Sequence, residues 1–232
     1  MQSDLDLDLF PLTSVLVPGG SIRLHIFEER YKTMIGSCIE RGAPFGVVLD
    51  HAGNEVGDDL DPATVGTTAE IVKVRRLSQG RLYIVARGLR RFRVDRFVQT
   101  KPFWTAWVSY IDEALGPPDA AVRLRAAALE CFRDYMQALL QLSGRELEVI
   151  QLPDDPAASS FFIADAMQVD AAAKQSLLES PSAAERLGLE LRLLDEETRR
   201  LRASSAQKAG DDRDDLGDDE RPKTFTLRIS LN

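Results

Sequence analysis

The sequence predicts an α+β protein, with a β-rich first half that carries one early helix and a helical second half. Three observations predict it. Residues 9–112 hold repeated runs in which apolar and polar side chains alternate, as in strands with one buried face. Residues 122–203 instead space their apolar residues three and four apart, the period of an amphipathic helix. Between them, Gly116-Pro117-Pro118-Asp119 interrupts both patterns with residues that suit turns.

The 232 residues, 44% hydrophobic and 28% charged, fit a globular protein of one or two domains. That length buries a core without disulfides or metals. A net charge of -8 gives no global attraction to nucleic acid or anionic lipid. Cys38 and Cys131 are remote in sequence and lie in helix-like apolar segments, so they read as buried reduced thiols. The opening Met1-Gln2-Ser3-Asp4-Leu5-Asp6-Leu7-Asp8 is acidic where a secretory signal is basic. No apolar run approaches the roughly 20 residues of a membrane span. The expected compartment is the cytoplasm, and no membrane partner is expected.

In order, Leu9–Leu12 and Ser14–Val17 read as short extended runs, and Pro18-Gly19-Gly20 as a turn. Ser21–Ile26 alternates as a strand. A helix is predicted over Glu28–Arg41, with Tyr31, Met34, Ile35, Cys38 and Ile39 on one side and Gly42 at its C′ position. Phe45–Leu49 reads as an interior strand and residues 51–64 as a polar loop. Thr67–Leu77 and Arg81–Ala86 flank Ser78-Gln79-Gly80 as a hairpin. Gly88 marks a bulge, and Leu89–Phe97 and Phe103–Ile111 continue the strands. Helices are predicted over Val122–Leu142, after Asp155-Pro156, after Asp170, and behind the capping box Ser182-Ala183-Ala184-Glu185, fading near Ser204-Ser205. The expected organisation is a β domain over residues 1–112, a linker over 113–120, a helical bundle over 121–205 and an acidic tail over 206–232. In that tail Asp211–Glu220 holds seven acids and one arginine and is expected to be disordered. Lys223–Leu231 alternates like a strand; a sheet-edge strand and a frayed terminus both fit it.

Four segments, in this order, resemble the substrate-binding N-terminal domain of Lon-type ATP-dependent proteases. They are Leu9–Gly19; Leu24-His25-Ile26-Phe27-Glu28-Glu29-Arg30-Tyr31 with Phe45-Gly46-Val47-Val48; Val65–Ile71; and Gly80–Phe92. Lys174–Glu179 and Glu185-Arg186-Leu187 resemble that family's helical bundle, so the likeness covers about residues 8–203. The resemblance implies a twisted, β-rich PUA-like pseudo-barrel followed by a C-terminal α-helical bundle. It implies a free-standing, non-catalytic module that binds unfolded or extended polypeptide, or a dedicated protein partner, as an adaptor or chaperone-like protein. No G-x-x-x-x-G-K-[ST] phosphate loop occurs in the chain, no Ser-Lys dyad maps onto it, and no cofactor is expected.

Candidate site residues each carry two readings. Glu28, Glu29 and Arg30 fit a charged helix start and also a polar rim beside an apolar groove for clients. Trp104 and Trp107 fit a core and also an exposed protein-contact surface. Phe10, Leu24, Ile26, Phe27 and Phe92 read as core. His25 and His51, with remote cysteines, give poor support for zinc. Residues 71–101 hold ten Lys or Arg against one acid, Asp95, so the alternative function is RNA binding, which also occurs among PUA-like folds, through Arg90, Arg91 and Arg93. The period-two placement of Arg91, Arg93 and Asp95 also fits a half-solvated strand, and nucleic acid is the lesser expectation. Oligomeric state is open; the helical half offers a brace or a weak dimer face.

Overall fold

A computed structural model of the protein describes residues 5–52, 60–100, 102–142 and 151–211. Six strands come first: β1 (Leu5–Leu12), β2 (Ser21–Ile26), β3 (Phe45–Asp50), β4 (Pro62–Arg76), β5 (Leu82–Gln99) and β6 (Trp104–Tyr110). Helix α1 (Glu29–Arg41) lies between β2 and β3, and α2 (Pro118–Gln141), α3 (Pro156–Ala166), α4 (Ala171–Glu179) and α5 (Ala183–Asp211) follow. The α+β class and the β-then-α order are those the sequence predicts. The acidic run beyond Asp211, Lys223–Leu231 and residues 53–59 of the loop expected at 51–64 lie outside the described residues, and β4 already begins at Pro62, inside that expected loop.

The chain divides into two compact units. One runs to Ala114 and takes up Ala164–Pro181; the other holds Leu115–Ile163 and the chain from Ser182 onward. The expected continuous bundle over 121–205 is thus interrupted, since α4 belongs with the sheet. Two buried polar side chains fasten it there. Gln175 donates from Nε2 to the Val65 carbonyl at 3.0 Å. Arg91 donates from Nη1 to the carbonyls of Leu178 and Ser180 at 2.6 and 2.8 Å.

In the first unit the strands pair in the order β2-β5-β4-β3-β1-β6, and β6 also pairs with β5. The sheet therefore closes into a five-stranded barrel, with β2 outside the closure. β1 and β3 are parallel and the other pairs antiparallel. The barrel encloses Leu7, Leu9, Val48, Phe92, Val94, Ala106 and Val108. A second core lies under α1, where Tyr31, Met34, Ile35 and Cys38 pack on Phe10, Leu24, Ile26, Leu82 and Ile84. Alternation selects these faces, because successive strand side chains point opposite ways.

β5 is one strand where two runs were expected. Gly88 lets it continue. The register steps from Ala69↔Gly88 to Thr67↔Arg91, so β5 carries one extra residue, the expected bulge. Ser14–Val17, expected as extended, forms no strand; Leu16 and Val17 are buried there. A Cβ on Gly88 would lie 2.3 Å from the Val17 carbonyl oxygen. Only a residue without a side chain admits that approach. The Gly19 amide donates to the Gly88 carbonyl, and the Gly88 amide to the Gly20 carbonyl, both at 2.9 Å.

The local helix signals read from the sequence have their partners. Asp155 accepts from the Ala158 amide and Asp170 from the Ala173 amide, each at 2.7 Å. Ser182 Oγ accepts from the Glu185 amide at 3.2 Å. Gly42 closes α1 with φ 60. α5 runs on to Asp211, past the expected end near Ser204. In the second unit Arg186 is fully buried; it donates to Ser160 Oγ at 2.7 Å and covers the Phe161 ring at 3.6 Å. Glu190, one turn on, is buried with neither carboxylate oxygen hydrogen-bonded among the described residues. Burial raises its pKa well above 4.5, against the lowering field of Arg186.

Two outcomes follow from these contacts. Gly88→Ala is expected to cost about 1–3 kcal/mol through backbone displacement, read as a lower urea midpoint. Because the folded Glu190 pKa is raised, the stability associated with its proton is present below pH 4.5 and lost as pH rises. Glu190→Gln is therefore expected to match the native chain in Tm at acid pH and to exceed it increasingly towards neutral pH.

Candidate functional site

β2, the first half of β5 and the second half of β4 form a three-stranded ribbon beside the barrel. Its cross-strand rows are Ser21–Arg87–Glu70, Arg23–Val85–Lys73 and His25–Tyr83–Arg75. These residues lie opposite Leu24, Ile26, Leu82, Ile84 and Ala86, which face the core under α1. Arg23, His25, Lys73, Arg75 and Arg87 are exposed, and Tyr83 and Val85 half-buried. The Arg75 guanidinium sits over the Tyr83 ring at 5.2 Å, and Arg87 Nη2 meets Glu70 Oε1 at 2.6 Å. Phe27 ends this face: it is 52% exposed, with its ring 5.8 Å from that of His25.

β2 pairs only with β5 among the described residues, so its other edge is unoccupied. An open groove of about 250 Å³ runs there, between Phe10–Thr13 on one side and Arg23–Glu28 on the other. A second opening, of about 380 Å³, lies where Ile39 and Pro44 approach Ile71, Val74 and Leu89. Val74 and Leu89 are themselves 39% and 38% exposed. The unit thus presents apolar surface at two places flanking one ribbon.

The predicted site residues divide across this geometry. Glu28 lines the groove and is held by Arg30 Nε at 2.8 Å, while Arg30 also stacks over Tyr31. Glu29 is exposed and pairs with Lys32. Glu28 therefore both borders the groove and pairs locally. Trp104 turns into the barrel, edge-on to Phe97 at 5.0 Å. Trp107 points outward, 37% exposed, with Arg96 over its ring at 5.8 Å. Neither tryptophan lines the groove. Arg90 and Arg93 are exposed, and Arg90 covers the Tyr110 ring at 4.2 Å.

Two readings are corrected. Arg91, expected on a solvated face, is 1% exposed and pairs through Nε and Nη2 with Glu113 at 2.6 and 3.0 Å. Arg91 keeps the phase of Arg93, opposite Phe92 and Val94 of the barrel interior, but the end of α4 and Glu113 cover it there. Its guanidinium cannot reach a phosphate. Phe27, expected in the core, is exposed. Period two already placed it with Arg23 and His25, opposite Leu24 and Ile26, so the signal was present. Tyr83 shares that face for the same reason.

Cys38 is buried and Cys131 half-buried, and desolvation raises both thiol pKa values, which keeps the thiolate scarce. Among the described residues no cluster of His, Cys, Asp and Glu is disposed to hold a metal ion. No described helix is long and apolar enough to cross a membrane.

The family model of the ATP-dependent protease La (LON) substrate-binding domain matches residues 6–196. Lon protease 2 of Myxococcus xanthus is 27% identical over 202 residues, covering 86% of this chain and 24% of that protein. Lon protease of Desulfovibrio desulfuricans is 31% identical over 197 residues, covering 82% of this chain and 22% of that protein. The chain thus spans about a quarter of the length of these curated relatives. A solved Lon N-terminal domain protein from Xanthomonas campestris superposes with a TM-score of 0.59 at 27% identity, covering 81% of this chain and 98% of that one. The N-terminal domain of Mycobacterium avium complex Lon protease shares the fold, with a TM-score of 0.58 at 18% identity. The matched span takes in both the barrel strands and helices that follow them in sequence, and the chain belongs to the Lon substrate-binding domain family.

Proposed function

We propose that this chain is a non-catalytic module that recognises unfolded or extended polypeptide, acting as an adaptor or a chaperone-like binder in the cytoplasm. The observation that carries the reading is the open groove along the unoccupied edge of β2, with Phe27 exposed at its mouth. An extended segment can add its backbone hydrogen bonds to such an edge and place alternate side chains in flanking pockets. The groove is open and holds about 250 Å³, whereas small-molecule sites typically bury most of their ligand in about 300–1,000 Å³. Names of the relatives point the same way, since the matched region is the substrate-binding part of a protease. Affinity for any one segment is moderate, because a flexible client loses entropy on ordering.

The test uses the whole chain and a permanently unfolded, reduced and alkylated model protein. Binding by fluorescence anisotropy and slower aggregation of a heat-denatured client are both expected. Phe27→Ser is expected to weaken binding roughly tenfold, about the worth of one well-buried aromatic contact, with Tm unchanged. A chain that neither binds an unfolded client nor slows aggregation contradicts the proposal, and a dedicated folded partner then replaces it.

A further inference from the structure

We infer that the ribbon face selects clients by charge, taking extended segments that carry carboxylates on either side of an apolar residue. This deepens the polypeptide-binding reading and rests on it. Arg23, Lys73 and Arg75 stand on that face, and none makes an ion pair among the described residues. The neighbouring carboxylates are already engaged. Glu70 is held by Arg87, Glu28 by Arg30 and Glu29 by Lys32. Three positive charges are therefore left in excess around a half-buried apolar centre of Tyr83 and Val85.

Strand geometry fits this spacing to an extended chain. Arg23 and Lys73 flank Val85 in one cross-strand row, and His25 and Arg75 flank Tyr83 in the next. Cationic side chains thus border the apolar centre from both outer strands. A segment lying over Val85 and Tyr83 meets cations on either side, so acidic residues flanking an apolar one are matched and basic ones repelled. Phe27 and the groove at the β2 edge continue the same surface. The long-range field of a chain at -8 opposes acidic clients, so the preference is short-ranged and local to this face.

A polynucleotide fits less well. Its bases need free aromatic faces, and the Tyr83 face is covered by Arg75. Three cations would release few counterions, and buried Arg91 adds none.

The experiment compares three short labelled peptides with one apolar centre and Glu, Gln or Lys flanks, titrated with the full chain. The Glu peptide is expected to bind roughly tenfold tighter than the Gln peptide at low salt, the sum of a few exposed ion pairs. The Lys peptide is expected to bind weakest, and the gap to close near about 0.5 M salt. The combined variant Arg23→Gln, Lys73→Gln, Arg75→Gln is expected to erase the Glu preference, to bind the Gln peptide as before and to keep its Tm. Arg93→Gln, on the barrel half of β5, is expected to change nothing. Equal affinity for all three peptides overturns the charge selection and leaves polypeptide binding standing. Failure to bind any peptide overturns both. Tight, steeply salt-dependent binding of single-stranded RNA without preference for the Glu peptide also overturns the inference, in favour of a nucleic-acid surface.

Discussion

The position of the ribbon depends on one backbone contact. Gly88 exchanges two hydrogen bonds with the Gly19–Gly20 turn, and its missing side chain lets the Val17 carbonyl approach. That contact fixes where β2 begins, and the pairing of β2 with β5 from there on leaves its other edge unoccupied. It also sits at the bulge that divides β5 into a ribbon half and a barrel half. A barrel closes on itself and leaves no edges, which protects it from unwanted strand addition. Here the open edges among the described residues belong to the ribbon, β2 on one side and Glu70–Arg76 of β4 on the other, and both lie beside apolar pockets. Such an edge is a liability in an ordinary protein and an asset in one that captures extended chains.

The burial of Arg91 beneath α4 has its own consequence. A buried guanidinium is costly unless it is fully partnered, and removal of one partner then costs more than the pair ever contributed. Arg91 meets Glu113 and the two carbonyls at the end of α4, so the barrel wall and that short helix satisfy each other. Gln175 does the same from inside α4. Polar pairing of this kind specifies position more than it adds stability, and it explains why α4 groups with the sheet although its sequence reads as one more helix of a bundle.

Most secondary structure was legible because local rules decide it. Alternation in Ser21–Ile26, the caps at Asp155, Asp170 and Ser182, and Gly42 after α1 each depend on neighbours within a few residues. The closure of β5 on β6 and the place of α4 were not legible, since both rest on partners far away in sequence. The phase of Arg91, opposite Phe92 and Val94, was read correctly, but its burial was missed because the groups that cover it, Glu113 and the carbonyls of Leu178 and Ser180, lie far away in sequence. Phe27 was misplaced for a different reason: an aromatic residue that directly follows an apolar strand residue, Ile26, reads as core unless its phase is followed strictly. The family resemblance was legible from ordered segments, but it carried no contact residues. The ribbon face follows only from the cross-strand register.

On the proposed reading, the fold supplies the client with an open edge, an exposed aromatic and cations without ion pairs among the described residues. The most direct test is hydrogen–deuterium exchange of the full chain with and without a bound unfolded client. Slowed exchange over residues 21–27, 71–76 and 82–87, the strands of the ribbon, is the result this account predicts. Protection confined to the helices α2 and α5, with the ribbon amides unchanged, would contradict it.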